Sequence, residues 1–502
     1  MNSVLRIFRK DVRRLWPRIV LVVGIEAATR WVQPAGPSGV VSTQGGILGI
    51  ETLAQWYLIA SAIHEERLVG DRQYWLTRPV SWRALLAAKL LFFLVFIHLP
   101  VLTADVCALI ARGESPAAHW AGLAMVQFFT LGAVLRGAVV AAVSASMAQF
   151  VGELLAVVMI PVLIAVWLAS LILRNANMNW GGVEWLRFTM ETTLAIAGTS
   201  AILALQYSAR RTDLSRWILG VGAVAVGLTT WMPAWHAAFR LQSRLGEREP
   251  DAAIRIVQDA PRGGLPTPLP VASWSKEPSV VEVPILITGV PAGMALWSDR
   301  IVATGALPGG RVWSSGWDSL NRLGNSITSG TAISETVREE GLLPGADPWL
   351  YLNVDPYFAR PDYRAGRELH ATVGLTLLSA EEVTPLTRGG QPTRVSGGGL
   401  CWLAGNQNTA VGCTWPSPAP AYAAVRIRSS GSGASGDVPI LTVERMGMAS
   451  YGPCSGSGGL WQDAGTSLQM SDEPSEVFLV TRRAVAHFER EIDIHPTGGA
   501  QP

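Results

Sequence analysis

ATP-driven chemistry within a single chain needs a lysine at a fixed place. A phosphate-binding loop ends in Gly-Lys followed by Ser or Thr, so that the ammonium reaches the β- and γ-phosphates. The whole chain has three lysines, Lys10, Lys89 and Lys276, and none follows a glycine. It therefore carries no such loop. The stretch "HEERL" at His64 lacks the second histidine, four residues on, of a zinc-protease helix. No G-x-S-x-G elbow occurs among the 51 glycines. The seven histidines (His64, His98, His119, His236, His370, His487 and His495) are scattered, and no two cysteines have C-x-x-C spacing. His98, in an apolar run two residues before Pro100, reads as a helix residue and not as a ligand. Asp355 and Asp362 in "NVDPYFARPDYRAGRE" offer paired carboxylates, although ordinary loop charges are the commoner reading. No metal, cofactor or catalytic group is expected, and the chain does not read as an enzyme.

The four cysteines divide into two groups. Cys107 lies in an apolar run and reads as an inert buried thiol; Cys401, Cys413 and Cys454 lie in the other half of the chain. Cys401 and Cys413 are close enough to bridge a hairpin. Such a bridge persists only in an oxidising compartment, and two unpaired thiols are the alternative.

The elements that carry these residues differ between the two halves. Of 502 residues, 49% are hydrophobic and 16% charged, against about 25% charged in a soluble globular protein. The deficit is not uniform: residues 1–240 hold the long apolar runs and read as a transmembrane domain. Residues 241–275 read as a linker, and 276–502 as a Gly-, Pro- and Ser-rich, mainly β domain. Runs long enough to cross a bilayer, about 20 apolar residues each, lie at about 17–33, 46–64, 88–111, 120–146, 151–173, 189–208 and 217–236. Seven spans are expected, the first preceded by a retained amphipathic segment and not by a cleaved signal. Glu26 and Arg30 interrupt the first, Glu51 the second and Arg136 the fourth. Charges at such depth face protein or water, or mark a misplaced boundary.

Arg and Lys gather before span one, between spans two and three, and between spans six and seven. The positive-inside rule then puts the N-terminus in the cytoplasm. With seven spans the β half lies outside; with six or eight it lies inside. The Trp-bracketed last span and the single lysine of the β half favour outside. Alternating stretches at 280–289, 371–379, 423–429, 438–446 and 476–483 read as strands of one or two antiparallel, sandwich-like domains. A net charge of +2 says little about partners, and no nucleic-acid partner is expected.

Between spans two and three runs "DRQYWLTRPVSWRALLAAK", from Asp71 to Lys89. Mixed charges (Glu65, Glu66, Arg67, Asp71, Arg72) lead into Tyr74, Trp75 and Leu76. Pro79 breaks what precedes it, and Ser81 caps the next helix. Such an interfacial knob could pass motion from a cytoplasmic partner into the bundle; a plain anchor loop is the other reading.

This stretch, with "FRKDVRRLWPRI" near the start and "AAVSASMAQFVGELLAV" further on, resembles the permease subunits of ABC-2-type transporters over about residues 1–210. The resemblance implies a membrane subunit, an exporter in the inner membrane of a bacterial cell. It implies a separate ABC-type ATPase partner that docks on the loop at 64–88, and a homodimer or a second permease subunit. Asp71, Arg72, Trp75, Leu76, Thr77, Arg78, Pro79 and Ser81 fall in the coupling region by this resemblance. The chain departs from the six-helix permease by a seventh span and a large outer domain. The rival readings are a membrane-anchored receptor or scaffold presenting the β domain, and a membrane enzyme with an outer catalytic domain.

Overall fold

A computed structural model describes residues 2–32, 40–66, 69, 81–172, 184–229, 241, 244, 254–259, 279–307, 309–315, 322–325, 348–354, 369–386, 392–404, 409–416, 422–429, 435–441, 461–468 and 475–494. The N-terminal part is helical: α1 (Asn2–Val32), α2 (Val40–His64), α3 (Trp82–Phe93), α4 (Leu99–Ala111), α5 (Trp120–Val143), α6 (Met147–Ile172), α7 (Glu184–Ala209) and α8 (Thr212–Thr229). Among the described residues, three helices are long and apolar enough to cross a membrane: Trp82–Ala111, Trp120–Val143 and Met147–Ile164.

Two local features differ from the sequence expectation. The basic segment and the first apolar run form one continuous 31-residue helix, α1, with Pro17 inside it. In addition, α3 and α4 form one rod joined by a π-helical turn at Leu94–His98. The cause lies in Pro100, which has no N–H to donate at the start of α4. Just before it, the Leu99 N–H donates to Leu94 O, five residues back, which is π-type spacing.

The bundle packs around α5. In its most apolar stretch 72% is buried, against 12% for α6, so α5 is the central helix and α6 a peripheral one. Leu15, Ile19 and Val22 of α1, Leu58 and Ile63 of α2, Phe92 of α3 and Ile202 of α7 share one core with Val134–Val143. Small residues on α5 permit this closeness. A Cβ on Gly137 would stand 2.4 Å from Trp56 Cδ1 of α2, and one on Gly132 would stand 2.7 Å from Thr192 Cγ2 of α7. The Trp56 indole also donates to Ala133 O at 2.9 Å.

The C-terminal part is mainly β. Its strands are β1 (Arg255–Gln258), β2 (Ser279–Thr288), β3 (Ala295–Ala306), β4 (Val312–Ser314), β5 (Arg322–Asn325), β6 (Pro348–Val354), β7 (Leu369–Leu378) and β8 (Glu382–Leu386). They continue as β9 (Thr393–Val395), β10 (Gly399–Ala404), β11 (Thr409–Pro416), β12 (Tyr422–Ser429), β13 (Ser435–Leu441), β14 (Trp461–Leu468), β15 (Ser475–Arg482) and β16 (Ala484–Ile494). Sheets β1-β2-β6-β5 and β16-β7-β3-β4 share one core, with Ile285 and Leu352 from one and Val373, Leu375 and Phe488 from the other. Sheets β14-β11-β10-β9 and β13-β12-β15-β8 share a second, with Trp415, Val411, Val425 and Leu479. These are two antiparallel sandwiches, and the second is inserted between β7 and β16 of the first. Strand β1 falls in the stretch that reads as linker, and it pairs with β2 from Arg255 opposite Thr288 to Gln258 opposite Ile285.

The two sandwiches are joined at a waist where the chain crosses twice. Ser379 N–H donates to Arg483 O at 2.8 Å, and Arg483 N–H donates to Ser379 Oγ at 3.0 Å. Arg482, 4% exposed, donates to Gly293 O at 3.0 Å and Ser379 O at 2.9 Å, and pairs with Glu381 at 3.2 Å. Trp297, Leu378, Tyr422 and Ala424 close an apolar contact across the same waist.

Candidate functional site: the charged end of the helix bundle

The first turns of α1, the end of α2 and the start of α3 meet in a buried ion network. Lys89 Nζ lies 2.7 Å from Asp11 Oδ2 and 2.7 Å from Ala62 O, and it also meets the Glu66 carboxylate. An ammonium has three donors, and all three are used. Lys10 bridges Glu66 and Asp11, and Arg14 pairs with Glu65 at 2.9 Å. The local sequence explains the placement. Asp11 sits between Phe8 and Leu15 on the inward stripe of α1, where Phe8 stacks on Phe96 at 5.8 Å and Leu15 is 1% exposed. Lys89 lies two turns into α3, beyond the Ser81 cap whose hydroxyl accepts from Ala84 N–H at 3.3 Å.

A second set of polar contacts closes the same end. His64, at the end of α2, bonds Ala141 O at 3.1 Å and Ser144 Oγ at 3.2 Å. Arg216, the fifth residue of α8, donates to Val143 O at 2.9 Å and pairs with Glu153 of α6 at 3.4 Å. Arg210, with φ 54°, ends α7 in the left-handed conformation. The beginnings of α1, α3, α6 and α8 and the ends of α2, α5 and α7 thus lie together. The β part meets the opposite end, where Arg394 donates to Arg112 O at the turn between α4 and α5.

The residues singled out in the sequence fall in several places. Asp71, Arg72, Trp75, Leu76, Thr77, Arg78 and Pro79 lie outside the described residues; Ser81 caps α3. Glu26 and Glu51 come together, deep between α1 and α2 and each 1% exposed. Gln55 donates to Glu26 Oε1 at 3.0 Å, and Thr29 donates to Glu51 Oε2 at 3.2 Å. Arg30 lies in α1, with its side chain outside the described residues. Arg136 stands apart on α5, where the nearby charge is Glu191 of α7. Cys401 and Cys413 are directly opposite on β10 and β11 and are bonded, with Cα atoms 4.1 Å apart. Cys107 differs from expectation: it is a free, exposed thiol on the outer face of α4.

Three members of the charged end, Asp11, Glu66 and Lys89, were not legible as a site. A signal existed: two of only three lysines flank apolar runs, and Asp11 is the lone acid in a basic stretch. Among the described residues no three His, Cys, Asp or Glu side chains gather as a metal site. His98 bonds Gln127 at 2.9 Å between helices. His370 and Asp493 form an exposed cross-strand pair at 2.7 Å. Asp355, Asp362 and Cys454 lie outside the described residues. What the charged end offers is mechanical and electrostatic, since ions on three helices are held in one lattice. No family model matches the chain, and no curated protein matches it.

Proposed function

We propose that the chain is the membrane-spanning subunit of an ABC-2-type transporter, working as an exporter with a separate ATPase that acts through the segment 64–88. One observation carries this reading. The segment is anchored at both ends in a single ion network, by Glu65 and Glu66 on one side and Lys89 on the other, and both sides are tied to α1. A push on the segment is therefore delivered to α1, α2 and α3 together. An ATPase whose closed state contacts the segment differently from its open state would shift the bundle between two arrangements. Asp71, Arg72, Trp75, Leu76, Thr77, Arg78 and Pro79 are the residues on which the ATPase docks in this reading, and Ser81 starts the helix that receives its motion. A second copy or a second permease subunit completes the transporter.

Several features support this topology. Helices α1 and α8 start at the same, basic end, so seven spans would carry the chain across the bilayer before the β sandwiches begin. The positive-inside rule assigns the basic end to the cytoplasm. The bridge between Cys401 and Cys413 suits an oxidising outer compartment.

Purification of the tagged full chain from its own membranes tests the proposal. A nucleotide-hydrolysing subunit should accompany it, and Trp75→Ala with Arg78→Ala should lose that subunit while the chain still inserts. Association and ATP-driven transport unchanged in the double variant would remove the segment's role. A ligand held by the β sandwiches with no nucleotide dependence and no ATPase partner would favour the receptor reading, for which the two-sandwich body is the supporting observation.

A further inference from the structure

Three helices that begin at the charged end carry exposed cations followed by exposed apolar side chains along their axes. On α1 the exposed residues Arg6, Arg9, Arg13, Trp16 and Val20 follow at alternating intervals of three and four, which places them on one helical face. On α3 the exposed Arg83, 5.4 Å over the Trp82 ring, precedes exposed Leu90; Leu94 follows in the π turn. On α8 the exposed Arg211, just before the helix, precedes Leu214, Trp217 and Val221. Trp16 is 59% and Trp217 73% exposed, so most of each indole faces away from the bundle. On α1 and α8 the order is outward-facing cation, then Trp, then aliphatic; α3 carries a cation followed by exposed leucines. Glu65 and Glu66 are already taken by Arg14, Lys10 and Lys89; Asp213, exposed in the first turn of α8 beside Arg211, is an acid on the rim, and the exposed Arg6, Arg9, Arg13, Arg83 and Arg211 outnumber it.

The dimensions agree with this order. At 31 residues, α1 is about 46 Å long, whereas the hydrocarbon core is about 30 Å thick. On the membrane reading, α1 is longer than the core is thick, and its basic first turns are the end placed in the headgroup layer.

We propose that this rim is a binding surface for anionic phospholipid. The guanidiniums of Arg6, Arg9, Arg13, Arg83 and Arg211 meet lipid phosphates, Trp16 and Trp217 lie at the glycerol level, and Val20, Leu94 and Val221 meet acyl chains. The charge complementarity would also fit an acidic protein. The graded order on α1 and α8, with cation then apolar residues on α3, is that of a leaflet, not of a protein patch. The proposal rests on the membrane reading above and not on the ATPase partnership.

The test uses the full chain in dodecyl maltoside, titrated with fluorescent phosphatidylglycerol and, separately, phosphatidylcholine. The expected result is a preference of about tenfold or more for phosphatidylglycerol, since a cation near a headgroup is worth about fivefold. The preference should fade at high salt. Arg6→Gln with Arg9→Gln and Arg13→Gln should lose most of it with unchanged melting temperature, because all three side chains are exposed. The matching triple Lys variant should keep it. Equal affinity for the two lipids, or a preference unaffected by the Gln variant, would overturn the proposal. So would loss of a co-purifying acidic protein in the Gln variant while lipid preference stays, which would assign the rim to a protein partner. A chain that stays soluble and monomeric without detergent would sink the membrane reading itself, a result distinct from the others.

Discussion

Lys89 and Asp11 form a hydrogen-bonded ion pair at 2.7 Å across 78 residues of sequence, with side chains 1% and 0% exposed. An ion pair at this depth stabilises through its completeness, because each desolvated charge needs the other. Lys89→Met should therefore cost about 3–5 kcal/mol, read from the melting of the full chain in detergent. Lys89→Met combined with Asp11→Leu should recover more than half of that loss, since an apolar pair of similar volume removes the stranded carboxylate. No recovery would mean that Lys89 acts mainly through Glu66 and Ala62 O.

Gly137 is fixed by Trp56. A methyl group there would lie 2.4 Å from the indole, so Gly137→Ala should cost about 1–3 kcal/mol by overpacking. Pairing it with Trp56→Phe should cost less than the sum of the single changes, because the smaller ring vacates the contested space. Strict additivity in chemical denaturation would show that α2 simply moves aside.

Arg482 holds the waist between the sandwiches. Arg482→Gln leaves Gly293 O and Ser379 O short of donors and should cost about 2–4 kcal/mol. Spin labels at Val312 and Val383, both exposed, report on opposite sides of the waist. Their distance distribution should be narrow in the parent chain and broad in the variant. An equally narrow distribution in both would assign the rigidity to the Trp297–Tyr422 contact, with rings 5.8 Å apart.

His487 sets a pH dependence. Burial pushes its imidazole down to about 4 from the usual 6.5, and its Nδ1 is 2.7 Å from Thr376 Oγ1. Above pH 6.5 it is neutral in both states and contributes no pH dependence. As pH falls from 6.5 toward 4, the unfolded chain takes up a proton that the folded one does not. Stability should then fall by about 1.4 kcal/mol per pH unit and level off below 4. Urea unfolding followed by tryptophan fluorescence should show this slope. His487→Gln should flatten it, and an unchanged slope in that variant would place its origin elsewhere.

The division into a helical and a β half was legible because it is compositional, and strand positions such as 371–379 and 476–483 were legible because apolar and polar residues alternate along them, although β7 proves buried on both faces. The helix starting after Ser81 was legible from its cap. What could not be read was long range. Nothing in "AVAHFEREIDI" says that it pairs with "LHATVGLTLL", although Thr376 and His487 meet 111 residues apart. Asp11 reads locally as one more charge in a basic segment, and its buried role depends on where α3 lies. Strand β1 was missed because four residues, Arg255–Gln258, give too short an alternation to separate from a linker. Cys107 was misread because an apolar run does not say which of its residues the rest of the protein covers.

The nesting of one sandwich inside the other has a consequence for biosynthesis. Strand β7 has β3 on one side and must wait for β16 on the other, and β16 is made only after all eight strands of the inserted sandwich. Until then β7 presents an open, apolar edge, the kind of edge that invites wrong pairing. The inserted sandwich needs no later strand and is free to form first. The waist then brings the two crossings side by side and delivers β16 to its place, so the early module acts as a guide for closing the late one. A chain cut before Ala484 should therefore keep the second sandwich and lose the first.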